Sequence, residues 1–287
     1  MVVEQFSIKK SLIPNHLWKT VEEILDNLSV SSPQFPFDVL ELWDELNEKF
    51  DCYVEWICKY RKVDICLTSN YKFKELSIAS TVQANRLVAV ELIKQRIATL
   101  NSKGVNDFTV TSPVKLGNDI EALCLSLLDI CQFAIMKDCS ISFEAFDCNA
   151  DKFRLVGDTY IVKEIFNRIR EQGGYNFFLT WDLAHFALEE GNYVESLVDL
   201  LPFIKRIHIS NYSRDKSKWY YGDKHLPFEV VGEISSSDIQ SIIEYILNNK
   251  SGIESIAFEV APEQRLQICY DSKVTYRYIT SLLEHLK

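Results

Sequence analysis

Four residues at or near the ends of apolar runs could carry chemistry in this chain. Glu144 closes Ser140-Ile141-Ser142-Phe143, Asp182 closes Phe177-Phe178-Leu179-Thr180-Trp181, His208 sits in the run Ile204 to Ser210, and Glu259 closes Ser255-Ile256-Ala257-Phe258. Two glutamates, an aspartate and an imidazole make a hard-to-borderline donor set suited to Mn²⁺, Mg²⁺, Co²⁺ or Zn²⁺. A lone strand-end carboxylate is usually a salt bridge or a helix cap. Four such groups on consecutive strands, 38, 26 and 51 residues apart, are much less expected by chance. Three of the five histidines, His185, His208 and His225, fall between residues 177 and 225, each near an aspartate or a strand end. Glu41, in the earlier run Phe37 to Trp43, is a further strand-end acid.

Converging side chains need a scaffold, and the apolar patterning supplies one. Strand-like runs occur at Phe6 to Ile13, Phe37 to Trp43, Val63 to Thr68, Asp107 to Thr111, Ser140 to Glu144, Phe177 to Asp182, Ile204 to Ser210 and Ser255 to Glu259. Helical spacing separates them, with helices expected from Pro14 to Leu28, up to about Lys59, and over Ala84 to Leu100, Ile120 to Met136, Tyr160 to Arg170, Val194 to Leu201, Ser237 to Leu247 and Val274 to Leu286. Strands that alternate with helices are parallel, and eight of them imply a single closed (β/α)8 TIM barrel over residues 1–287. An open doubly wound sheet is the rival, but no glycine-rich phosphate loop follows the first strand. In a barrel the catalytic groups gather at the C-terminal ends of the strands, which is where the four donors stand.

The totals narrow the partners. With 31 Lys+Arg against 41 Asp+Glu the formal charge is −10, a balance that disfavours nucleic acid or an anionic membrane surface. A small-molecule substrate is the expected partner, and a homo-oligomer is compatible with the composition. The first residues, Met1-Val2-Val3-Glu4-Gln5-Phe6, lack a signal-peptide pattern, and no apolar run is long enough to span a bilayer. The expectation is a cytoplasmic protein whose eight cysteines serve as reduced, mostly buried thiols. Trp181 and the Trp219-Tyr220-Tyr221 segment flank the expected mouth, where aromatic rings could stack on a substrate or cover it.

The order Phe143-Glu144, Trp181-Asp182-Leu183-Ala184-His185, Ile207-His208-Ile209-Ser210, Asp223-Lys224-His225 and Phe258-Glu259 resembles the xylose-isomerase-like TIM barrels. That superfamily contains sugar isomerases and epimerases, related dehydratases, and endonuclease IV. The resemblance is clear from about residue 140 to 260 and earlier rests on topology, on Glu41, and on the helix around Asn85-Arg86. It implies that Glu144, Asp182, His208 and Glu259 hold a divalent metal, with Glu144 and Glu259 also moving protons at the substrate carbon. It assigns His185 and Arg214 to substrate contact, with Glu41 and Trp181 as further candidates on the substrate side. Arg214 reads equally well as a solvated loop cation beside Asp215, Lys216 and Lys218.

His185, Asp223 and His225 also match a second metal site of endonuclease IV, so a second ion and a two-metal phosphoesterase form the alternative. That enzyme draws two further histidines from early strand ends. Here residues 17 to 184 contain no histidine, and the corresponding loops read Thr68-Ser69-Asn70 and Thr111-Ser112-Pro113.

Overall fold

The computed structural model describes residues 8–14, 20–67, 76–228, 231–249 and 252–261. Eight parallel strands close into a barrel: β1 (Lys9–Leu12), β2 (Val39–Trp43), β3 (Lys62–Cys66), β4 (Asp107–Thr111), β5 (Ser140–Glu144), β6 (Phe177–Asp182), β7 (Ile204–Ser210) and β10 (Ser255–Glu259). The order around the barrel follows the chain, and β10 seals it by pairing with both β7 and β1. A short antiparallel pair, β8 (Tyr212–Ser213) and β9 (Gly222–Asp223), stands in the loop after β7. The expected (β/α)8 barrel is therefore the observed fold.

Eight helices are present among the described residues: α1 (Val21–Asn27), α2 (Glu48–Ile57), α3 (Gln83–Asn101), α4 (Ile120–Ile135), α5 (Thr159–Glu171), α6 (Leu183–Glu190), α7 (Tyr193–Leu200) and α8 (Ser236–Asn248). Seven of them start on an Asp, Asn, Ser or Thr whose side chain accepts from a first-turn amide. Helix α6 was not expected from the apolar spacing. It begins on the last residue of β6, because Asp182 is both a strand end and an N-cap that accepts from the His185 amide at 3.1 Å. The helix expected at Val274 to Leu286 and the start of the first one lie outside the described residues. Among those described, no helix is long and apolar enough to cross a membrane, and seven cysteines are free thiols.

Alternation along each strand sends one set of side chains outward and the other into the lumen. The outward set is apolar: Leu40, Leu42, Val63, Ile65, Phe108, Val110, Ile141, Phe143, Leu179, Ile207 and Ile209 are buried in the core. The lumen is polar, unlike the branched aliphatic filling common in such barrels. Arg206 of β7, 2% exposed, lies 3.2 Å from Asp64 on β3 and 3.1 Å from Asp107 on β4. Those strands are not neighbours of β7, so these contacts cross the lumen. Arg206 also donates to Ser142 Oγ at 2.8 Å, and Lys62 and Lys205 complete the set around Asp107 at 2.7 and 2.5 Å. Burial opposes ionisation of Asp107, yet Arg206, Lys205 and Lys62 hold its carboxyl well below the usual range. Asp64 shows the opposite balance. Burial, offset in part by Arg206 and reinforced by the nearby Glu41 and Asp107 charges, pushes it up to about 6. A cavity of about 520 Å³ at this N-terminal end of the barrel is lined by Arg61, Lys62 and Asp107 among others. Lys62 and Asp107 in its lining are paired with each other, and Arg61 donates to the Tyr60 and Ser32 carbonyls, which reads as a polar floor.

Candidate metal centre

Three donor side chains meet at the opposite, C-terminal mouth. Glu144 ends β5, Asp182 ends β6, and His208 lies opposite Asp182 in the ladder between β6 and β7. One ligand atom from each of Glu144, Asp182 and His208 lies within 4.8 Å of the others, and all three residues are buried. Two donors on one ion at about 2.1 Å each are at most about 4.2 Å apart, so the set closes on an ion with a sub-ångström contraction. Glu259, at the end of β10, joins them with Oε1 3.5 Å from His208 Nδ1 and Oε2 3.5 Å from His225 Nδ1. Glu144 Oε1 is 3.2 Å from the same His208 nitrogen.

The local chemistry suits a cation. Asp182 Oδ1 is occupied, accepting from Ser210 Oγ at 2.7 Å and from the His185 amide, whereas the buried Oδ2 has no hydrogen-bond partner. Burial drives the Asp182 carboxyl up to about 7, with Glu259 and Asp223 adding to the rise and His185 and His208 opposing it. A centre that makes a carboxylate this costly to ionise is short of positive charge. For His208 burial opposes protonation, but Glu41, Glu259 and Glu144 outweigh it and hold the imidazole well above its ordinary value. A metal ion would take over the charge that this proton supplies.

The other side of His208 defines Glu41. His208 Nε2 donates to Glu41 Oε2 at 2.8 Å, and Glu41 in turn accepts from Ser11 Oγ. Glu41 sits mid-strand in β2 and 6% exposed, inside the lumen beneath the mouth. This is the arrangement in which a carboxylate fixes the tautomer and orientation of a ligating imidazole, leaving Nδ1 for the metal. Glu41 thus lies on the Nε2 side of His208, away from Glu144 and Glu259 on the Nδ1 side.

An outer set of His185, Asp223 and His225 stands next to these candidate ligands. His185 Nε2 is 3.7 Å from Asp223 Oδ2, and His225 Nδ1 is 3.5 Å from Asp223 Oδ1. His225 adopts a left-handed backbone, φ +53°, uncommon for a histidine, and its carbonyl accepts from Ala261 N at 2.8 Å. Two residues that sequence reasoning missed organise this set. Asp147 Oδ1 accepts from the amides of Ala150, Asp151 and Lys152 at 3.3, 2.6 and 2.9 Å, while its Oδ2 faces His185 Nδ1 at 3.5 Å. The turn it builds aims Lys152 at Asp223, with Nζ 3.2 Å from Oδ2 and donating to the Asp223 carbonyl at 3.1 Å. Burial alone would raise the Asp223 carboxyl, but His225, Lys152 and His185 hold it far below the usual range. Burial disfavours protonation of His185 too, yet Asp182, Asp147 and Asp223 raise it to about 9. The only sequence signal for either residue was an aspartate and a lysine, five apart, in the loop after the Glu144 strand.

Trp181 and Arg214 have protein partners of their own. Trp181 is fully buried; its ring stacks on Phe186 and its indole N–H donates to Ser196 Oγ at 3.0 Å in the helix layer. Since Asp182 points into the mouth, pleating sends Trp181 the other way. Arg214 donates through its guanidinium to the Ala187 carbonyl in the last turns of α6, and its backbone N–H donates to Glu233 Oε1 at 2.5 Å. A cation suits a helix C-terminus, and this role accounts for the side chain. Trp219 remains 60% exposed, edge-on to Tyr220, while the Tyr221 hydroxyl donates to the Ala150 carbonyl at 3.4 Å.

Comparison with solved structures agrees with the barrel fold. A D-tagatose 3-epimerase-like protein aligns with a TM-score of 0.70 at 17% identity, covering 98% of this chain and 100% of its own. The shared fold is the (β/α)8 barrel. An L-ribulose 3-epimerase aligns at TM-score 0.69 and 16% identity over 97% of this chain and 95% of that one. The IolI protein, solved with a bound zinc atom, aligns at 0.68 and 16% over 98% and 99%. By sequence, no family model and no curated protein matches. At these identities the likeness shows a shared fold, and the reading of the site rests on its own geometry.

Proposed function

We propose that this chain is a divalent-metal-dependent isomerase or epimerase acting on a small sugar, polyol or keto acid, or a dehydratase that begins with the same proton abstraction. The observation that carries the reading is the placement of two glutamates, Glu144 and Glu259, at 3.2 and 3.5 Å from one imidazole nitrogen of His208, with Asp182 beside them. Glu144, Asp182, His208 and Glu259 would hold the ion. When bound, Mn²⁺, Mg²⁺, Co²⁺ or Zn²⁺ supplies Lewis-acid polarisation of a carbonyl and its neighbouring hydroxyl, which acidifies the C–H between them.

The remaining work falls to the chain. Glu144 and Glu259 come from strands on either side of β6 and β7, so their carboxylates approach a substrate in the mouth from two directions. One Oε takes the proton from carbon and the other carboxyl returns one, which inverts the centre if delivery is to the opposite face. Glu41 holds the His208 ring, and Ser210 holds Asp182 by its Oδ1. His185 and His225, flanked by acids, form the wall that orients substrate hydroxyls. Neutralisation of Asp223 by Lys152 favours this reading over the two-metal phosphoesterase, as does the acidic balance of the whole chain.

The test combines metal content with isotope exchange. Protein purified without chelators is expected to hold one ion per chain and to wash solvent deuterium into a ketose at the carbon beside the carbonyl. Glu259→Gln should cut exchange and turnover by at least 10²-fold while the ion stays bound, since a carboxamide can still coordinate but cannot move a proton. Turnover unchanged in Glu259→Gln, or a chain that binds no ion when metal is supplied, refutes the proposal.

A further inference from the structure

We infer that Lys152 is a built-in cation of the outer set, standing where a second metal ion would otherwise bind, and that it holds this protein to a single ion. The inference rests on the proposed metal centre and extends it to residues that the mechanism leaves aside.

His185, Asp223 and His225 supply two imidazoles and a carboxylate, a donor set that by type would take Zn²⁺ with an open position. Asp223 is 1% exposed, and neither of its carboxylate oxygens is satisfied by a well-formed hydrogen bond. A buried carboxylate in that state requires a positive partner. The nearest charged partner is the Lys152 ammonium, 3.2 Å from Oδ2, with the His225 and His185 imidazoles farther off at 3.5 and 3.7 Å.

The ammonium is anchored from two sides. Besides the Asp223 carboxylate and carbonyl, Asp151 Oδ2 lies 3.3 Å away. Asp151 is itself held by Lys224 Nζ at 2.9 and 3.1 Å. The backbone amide of Lys152 is bound to Asp147, the residue that also faces His185. The loop after β5 and the loop carrying β9 are drawn together further. Gly222, at φ +91°, packs so closely on Asp151 that a Cβ there would lie 2.5 Å from its carboxyl carbon. Lys152 is thus part of a braced contact and not a solvated side chain that happens to reach inward.

An ion bound to Asp223 at metal–oxygen distance would share the oxygen with this ammonium, so the two cations repel at close range inside a water-poor site. Lysine has a further consequence for chemistry. Its three N–H donors face Asp223 and Asp151, so the outer set presents imidazoles to a substrate without the open Lewis-acid position that would activate a hydrolytic water.

The experiment counts ions. Chelator-stripped protein is dialysed against excess Zn²⁺ or Co²⁺ and analysed by mass spectrometry for metal. The expected result is one ion in the wild-type chain, two in Lys152→Met, one in Lys152→Arg, and one again in Lys152→Met/Asp223→Asn. In the Co²⁺ form, Lys152→Met should show the exchange-coupled spectrum of a paired site, and wild type the spectrum of an isolated ion. Two ions in wild type, or a single ion in folded Lys152→Met, overturns the inference. If Lys152→Met fails to fold by circular dichroism, anomalous scattering from zinc-soaked wild-type crystals decides. Density beside Glu144 alone supports the inference, and density between His185 and Asp223 overturns it. A wild-type chain that binds no ion refutes the proposed function itself, whereas two ions refute only the role of Lys152.

Discussion

Removing the carboxylate behind His208 separates the two roles considered for Glu41. In Glu41→Ala, His208 Nε2–H loses the acceptor at 2.8 Å, and the ring loses the contact that turns Nδ1 toward Glu144 and Glu259. Loss of such an outer partner typically weakens metal binding by about 10- to 100-fold, equivalent to roughly 1.4 to 2.7 kcal/mol. Glu41→Gln should fall between wild type and Glu41→Ala, because a carboxamide oxygen still accepts from Nε2–H. A neutral hydrogen bond contributes about 0.5–1.5 kcal/mol against about 1.5–3 for one to a charged group. The assay is competition for Zn²⁺ or Mn²⁺ against a fluorescent chelator, with KM for the identified substrate measured at saturating metal. A positioning role moves the metal affinity and leaves KM nearly unchanged once the ion is saturating. Unchanged metal affinity in Glu41→Ala, with a raised KM, would refute the geometry argument and return Glu41 to the substrate side.

Two further outcomes test the lumen and the helix layer. Asp64 has a folded value of about 6 against an ordinary value of 3.8, so the folded state holds this proton more tightly than the unfolded one. Its contribution to stability is fully present below pH 3.8 and is lost as the pH rises through 6. Asp64→Asn should therefore remove a downward slope from the stability curve between about pH 4 and 6, read by urea unfolding; coincident slopes for the two proteins would refute it. Trp181→Phe breaks the indole hydrogen bond to Ser196 and should cost about 1 kcal/mol of stability while kcat and KM stay at wild-type values. A several-fold rise in KM would show that Trp181 does reach the substrate.

Much of the site was legible because strands and their ends leave local marks. Runs of five to seven residues mark the last four barrel strands, with Glu144, Asp182 and Glu259 closing theirs and His208 two residues before the end of its own, so these four candidates could be named without coordinates. Features that differ from the sequence expectation also have local causes. Trp181 was drawn to the mouth by its proximity to Asp182, although strand pleating sends adjacent side chains to opposite faces. Helix α6 was overlooked because its N-cap is the strand-end acid itself, which reads equally well as a ligand. Arg214 meets the Ala187 carbonyl, a partner that its position along the loop does not indicate.

What the chain determined by itself is the alternation of strand and helix, the closure of eight strands, and the residue types at the strand ends, all of which follow from periodicity over a few residues. What only the tertiary structure decided are the pairings across the barrel and between its loops. Glu41 meets His208 from 167 positions away, and Lys152 reaches Asp223 from 71. Arg206 bridges two aspartates on strands that are not its neighbours. Such contacts depend on barrel closure and on how loops fold back over its rim. No short-range pattern encodes them, and they set the cluster of Glu144, Asp182 and His208 apart from the Lys152-paired Asp223 at the mouth.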